Sequence, residues 1–86
     1  MLSRIMRWFG SREAVARLTS EQVLRIAREH VRREGHDPAA LNMVTRCTRE
    51  SAVLWHVSEP GVGAVMVVEV DDARGAVNWM RRMPLR

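Results

Sequence analysis

Residues 51–82 read SAVLWHVSEPGVGAVMVVEVDDARGAVNWMRR, and the spacing of apolar side chains through them decides the fold. The apolar residues come in short runs bounded by turn formers, the pattern of strands and not of a helix. Glu59, Pro60, Gly61 and Gly63 separate the first two runs. Asp71 to Gly75 separates the second from the third, with Gly75 suited to the positive φ of a bulged hairpin. The runs predict strands at 51–58, 64–70 and 76–82. A fourth, at 42–48, lies upstream after a turn marked by Asp37 and Pro38. Four strands joined by short connections read as an antiparallel meander, with no helix expected inside 51–82.

The second and third strands are apolar on both faces. Ala52 and Leu54 alternate with Val53, Trp55 and Val57, and Met66, Val68 and Val70 alternate with Val65 and Val67. A sheet with one solvated face alternates apolar with polar residues, so both faces of this one call for cover. Uncovered apolar patches of that kind usually mark contacts. In the last hairpin, simple period-two alternation sorts the residues into two sets. Met66, Val68, Val70, Ala76, Asn78 and Met80 form one, and Val65, Val67, Glu69, Val77, Trp79 and Arg81 the other. Methionines and small aliphatics suit the underside of a helix. The set holding Trp79 and Arg81 has the composition of an interface and is the expected partner-binding face.

Immediately upstream, LTSEQVLRIAREHVRREG at residues 18–35 turns to helical periodicity. Thr19 and Gln22 have capping-box spacing, Leu18 can staple to Val23, and Gly35 stands where a left-handed cap belongs. Val23, Leu24, Ile26, Ala27 and Val31 share one arc. Glu21, Arg25, Arg28, Glu29, Arg32 and Arg33 share the other, so a helix over 20–34 packs with one face only. Glu21 with Arg25, and Glu29 with Arg33, have the favourable i,i+4 order for ion pairs. That internal pairing argues for a solvated face over a phosphate footprint.

Residues 1–17 form a basic N-terminal segment, and 18–86 a single α+β domain of one main helix on a four-stranded antiparallel sheet. In the segment, Leu2, Ile5, Met6, Trp8 and Phe9 fall opposite Ser3, Arg4 and Arg7, a short amphipathic helix ended by Gly10. Leu2, Ile5, Met6 and Phe9 are expected to pack on protein, because two turns bury too little to hold a membrane surface. The arginines lie within the apolar residues, unlike those of a signal peptide, and the longest apolar run, 61–68, is far too short for a span. A cytoplasmic location is expected.

The chain has 86 residues, enough for one core and too few for two. All 14 basic residues are arginine, a mark of GC-rich codon usage that weakens each one as a functional signal. The pI near 11.2 suggests nucleic acid, yet the net charge is only +4. Residues 1–35 hold eight arginines against four acids and residues 36–86 six against six, so the excess lies at the N-terminal end.

The helix opened by TSEQVLRIAREHVRREG, the strand pair, and VVEVDDARGAV with its acidic turn and glycine resemble the small cystatin-like modules of bacteria. These are PepSY-type domains and the short immunity proteins of the nuclear-transport-factor-like fold. The resemblance spans residues 18–82 and implies a binding module that neutralises a toxin or restrains a partner enzyme.

No constellation for catalysis, metal or cofactor is expected. His30, His36 and His56 lack ligand spacing, and Cys47 is the single cysteine. Cys47 and His56 can be posed as nucleophile and base across adjacent strands, but no third, orienting group is indicated. Asp71 and Asp72 read as turn formers, and Gly61 to Gly63 is no phosphate loop because neither a lysine nor a helix follows. Trp8, Trp55 and Trp79 suit core or interface packing. The function expected is therefore non-enzymatic: a protein-binding module, immunity-like or inhibitory, or a homodimer. A basic nucleic-acid-associated protein and a peripheral membrane protein held by residues 1–9 are the alternatives.

Overall fold

A computed structural model describes residues 15–61 and 63–85. The expected packing of Leu2, Ile5, Met6 and Phe9 lies outside the described residues. The elements run α1 (Ser20–Arg33), a 3₁₀ turn (Pro38–Ala40), then β1 (Met43–Arg49), β2 (Ala52–Ser58), β3 (Gly63–Asp71) and β4 (Ala76–Leu85). The strands form one antiparallel sheet in sequence order, the meander expected, and among the described residues no helix falls within 51–82.

Helix α1 begins and ends as its sequence dictates. Gln22 donates its backbone N–H to the Thr19 hydroxyl while the Gln22 side chain accepts from the Thr19 N–H, a complete capping box. At the other end the His36 N–H reaches the Val31 carbonyl and the Gly35 N–H the Arg32 carbonyl, with Gly35 at φ +90°. This is a Schellman cap, and the left-handed residue it needs is most cheaply a glycine. Between the caps, Val23, Ala27 and Val31 recur every four residues and are buried against the sheet.

The sheet face under α1 carries Val53, Trp55 and Val57 from β2 and Met66, Val68 and Val70 from β3, flanked by Val44, Val77 and Met80. Two polar anchors fix the helix over it. The Arg28 guanidinium donates through Nε and Nη2 to the Leu41 carbonyl at 3.1 and 2.8 Å, so Arg28 is a tether to the connection and not part of a purely solvated arc. The buried Asp72 carboxylate accepts from the N–H groups of Arg17 and Leu18 and from the Trp55 indole. Asp71 has the turn role expected of both aspartates, accepting from the Arg74 N–H, whereas Asp72 points inward and ties the entry of α1 to the sheet. Adjacent strand-end residues diverge, so the two acids serve opposite faces.

The expected alternation in β4 fails at one position. Val70 pairs with Val77 while Glu69 pairs with Trp79, so Asn78 is an extra residue in β4 and the register shifts there. The bulge moves Val77 under the helix and turns Ala76 away from it. Val77 therefore leaves the set of Val65, Val67, Glu69, Trp79 and Arg81, and packs against the core. A bulge inserts one residue and so inverts the parity on one side of it. The expected helix pairs are also revised: Glu29 bridges Arg32 at i,i+3, and neither Glu21–Arg25 nor Glu29–Arg33 forms among the described residues.

Candidate functional site

The face of the sheet turned away from α1 is built from Thr45, Cys47 and Arg49 on β1, Leu54, His56 and Ser58 on β2, Val65, Val67 and Glu69 on β3, and Trp79, Arg81 and Met83 on β4. Leu54, Val65 and Val67 are buried, so this face is not the bare apolar patch that two-sided hydrophobicity suggested. Among the described residues the large apolar side chains left exposed are Val15 and Met43. Of the expected partner-binding set, Val65, Val67 and Glu69 are buried, Val77 lies under the helix, Trp79 is half-buried and Arg81 is exposed.

The centre of the face is polar. Glu69 is only 2% exposed, a carboxylate buried on a central strand of the sheet. Unpaired, such a group is costly by several kcal/mol, and three neighbouring side chains pair it. Asn78 Nδ2 donates to Oε2 at 2.9 Å, while His56 Nε2 lies 3.0 Å and Arg49 Nη2 3.1 Å from Oε1. Register explains the convergence, since His56 and Trp79 are the direct cross-strand partners of Glu69 and the bulge presents Asn78 beside it. Burial pushes the Glu69 pKa up, but the hydrogen bonds from Asn78, His56 and Arg49, with the Arg49 charge, outweigh it and leave the carboxyl below its ordinary range.

Asp72 follows the same balance on the other face. Burial raises its pKa, the Arg17 N–H, the Trp55 indole and the Leu18 N–H lower it, and the net result is below the ordinary aspartate range.

An ionised carboxylate only accepts hydrogen bonds, so the proton of the His56–Glu69 bond sits on Nε2, and in the neutral imidazole Nδ1 then carries the lone pair. Cys47 Sγ is 3.8 Å from that Nδ1. The orienting third group that sequence reading lacked for the Cys47–His56 pair is therefore Glu69. Its signal was a charged residue inside an apolar run, VMVVEV, which marks a buried carboxylate needing partners but names none of them.

Beside this chain of groups lies a groove of about 400 Å³ lined by Thr45, Arg49, His56, Ser58, Val67, Trp79 and Met83. Trp79 forms one wall, its ring 5.7 Å from that of His56, and the Arg81 guanidinium stacks 4.1 Å from the Trp79 centroid. Its walls thus combine an aromatic face, a cation, an imidazole and hydroxyls, suited to holding an extended polar ligand with an apolar part.

No group of three or more His, Cys, Asp or Glu side chains among the described residues is arranged to hold a metal ion, and none of the described helices is long and apolar enough to cross a membrane. Fold and site together define a one-helix, four-stranded antiparallel α+β domain with a polar groove on its helix-free face. Compared with models of known families, with curated proteins and with solved structures, the chain matches none.

Proposed function

We propose that the chain is a protein-binding module whose contact surface is the helix-free sheet face, centred on Trp79 and Arg81 and entered at the groove between β1 and β4. The observation that carries the reading is the fixed position of two of the groove's polar side chains: Arg49 and His56 converge, together with neighbouring Asn78, on one buried carboxylate. Side chains already held in place lose little freedom when a partner arrives, which favours tight and specific contact. The resemblance to cystatin-like immunity and PepSY-type modules agrees with such a role, as does the pairing of an exposed arginine with a tryptophan, the two residue types that dominate interface energetics.

The test is a photo-crosslinking amino acid placed at Arg81 in the full chain, expressed in cells that make it. A second chain carries the crosslinker at Glu21, on the exposed side of α1. A discrete protein adduct, a second copy or another protein, is expected from position 81 and not from 21. Trp79→Ala should weaken the interaction by about 2 kcal/mol or more, roughly thirtyfold, with circular dichroism preserved. Adducts that are equal at both positions, or that nuclease removes, would overturn the reading.

A further inference from the structure

Thiol, imidazole and carboxylate stand in line across three adjacent strands. Cys47 Sγ is 3.8 Å from His56 Nδ1, and His56 Nε2 is 3.0 Å from Glu69 Oε1. This is the order of nucleophile, base and orienting group that activates a thiol in unrelated proteins. The hydrogen bond to Glu69 favours the neutral tautomer that can take a proton from sulfur at Nδ1, and the imidazolium so formed would face the Glu69 carboxylate. Arg49, two residues along β1 on the same face as Cys47, holds the same Glu69 oxygen at 3.1 Å and so helps fix the group that positions His56.

A second and separate observation is room for a reactant. Thr45 and Arg49, the same-face neighbours of Cys47 on either side, both line the groove, as does His56. The groove therefore reaches the imidazole whose Nδ1 contacts the thiol. Its exposed cation, Arg49, and its Trp79 wall suit a flat or apolar group bearing a carboxylate.

We propose that Cys47 is a nucleophilic thiol that exchanges with small carboxylate-bearing disulfides, with His56 as its base and Glu69 as the residue positioning His56. In the step, the thiol proton passes to His56 Nδ1 and the Cys47 sulfur attacks one sulfur of the disulfide. A new S–S bond forms, the old one breaks, and the departing thiolate regains a proton from His56 or from water. The disulfide is the oxidant, and its other half leaves reduced. The proposal stands apart from the protein-binding reading, because it concerns the isolated chain and is measured without a partner.

The test follows thiol exchange of the full chain with dithiobis-nitrobenzoate, an aromatic disulfide with two carboxylates, and with neutral hydroxyethyl disulfide. Each rate is divided by that of the same chain unfolded in guanidinium chloride. The native ratio with the first probe should be roughly a hundredfold or more, the scale of assistance by a positioned base, and larger than the ratio with the second. His56→Gln should bring it to within about twofold of the unfolded thiol. Glu69→Gln should lower it too, and should shift the His56 ring nitrogen resonances away from the single Nε2–H tautomer, which a merely structural carboxylate would not do. A native thiol no faster than the unfolded one overturns the proposal even if no variant folds. So does a His56→Gln chain as fast as wild type, or equal ratios for the two disulfides.

Discussion

Asp72 shows how much of this small domain depends on single polar atoms. Its two oxygens serve three donors, the N–H groups of Arg17 and Leu18 and the Trp55 indole, and it is 4% exposed. Asparagine has nearly the same shape but replaces one acceptor oxygen with a donor. Asp72→Asn must therefore set an N–H₂ against one of those donors, leaving buried polar groups unsatisfied at about 1–3 kcal/mol. Chemical denaturation of Asp72→Asn should give a lower midpoint with an unchanged slope. A midpoint equal to wild type would mean that water, not Asp72, serves these donors. Nothing in the pair Asp71–Asp72 distinguishes the turn former from the buried pin. Both are common turn residues, and the distinction arises only when Trp55 and Arg17 are brought to the same place.

Among the elements, those whose specification is local were legible in the sequence. The Thr19–Gln22 box and Gly35 fixed α1, and period-two runs fixed four strands to within a few residues. What escaped were features set by pairing between segments. The Asn78 bulge is one, because no residue type announces an extra position in a strand, and it carried Val77 to the wrong face. The β1–β2 turn is the other. Arg49 pairs with Ala52, leaving Glu50 and Ser51 as a two-residue loop with φ +53° and +70°. Positive φ at both central positions is the demand of a type I′ hairpin, normally met by Asn-Gly. Glu-Ser gives no such signal and holds the conformation at a cost of roughly 1 kcal/mol or more per left-handed residue. Replacing Glu50 and Ser51 by Asn and Gly should therefore stabilise the chain by about 1–2 kcal/mol, raising Tm by several degrees. A Tm unchanged or lowered would show that Glu50 or Ser51 makes a compensating contact. The candidate site followed the same division. Trp79 and Arg81 were legible as residues of the face away from the helix, whereas the Cys47–His56–Glu69 line needed the register of three strands.

At the scale of the whole molecule, one buried carboxylate stands on each face of the sheet. Glu69 gathers β1, β2 and β4 on the helix-free face, and Asp72 holds the entry of α1 to β2 on the other. Both have pKa values lowered in the folded chain. The unfolded chain therefore takes up protons at a higher pH than the folded one, and stability rises with pH across that window. The contribution is whole above the ordinary carboxylate range and is lost as pH falls through the lowered values of the folded state. Protonation of the other acids compounds the loss, because the chain already carries +4 at neutral pH and fourteen arginines stay charged. Denaturant midpoints measured downward from neutrality should thus hold steady and then fall steeply in the acid range. Asp72→Asn and Glu69→Gln should each start lower and fall less steeply. Since the two carboxylates share no hydrogen-bond partner, the double variant should lose the sum of the single losses to within about 0.5 kcal/mol. An acid limb as steep in the double variant as in wild type would place the sensitivity in the surface acids instead of these two pins.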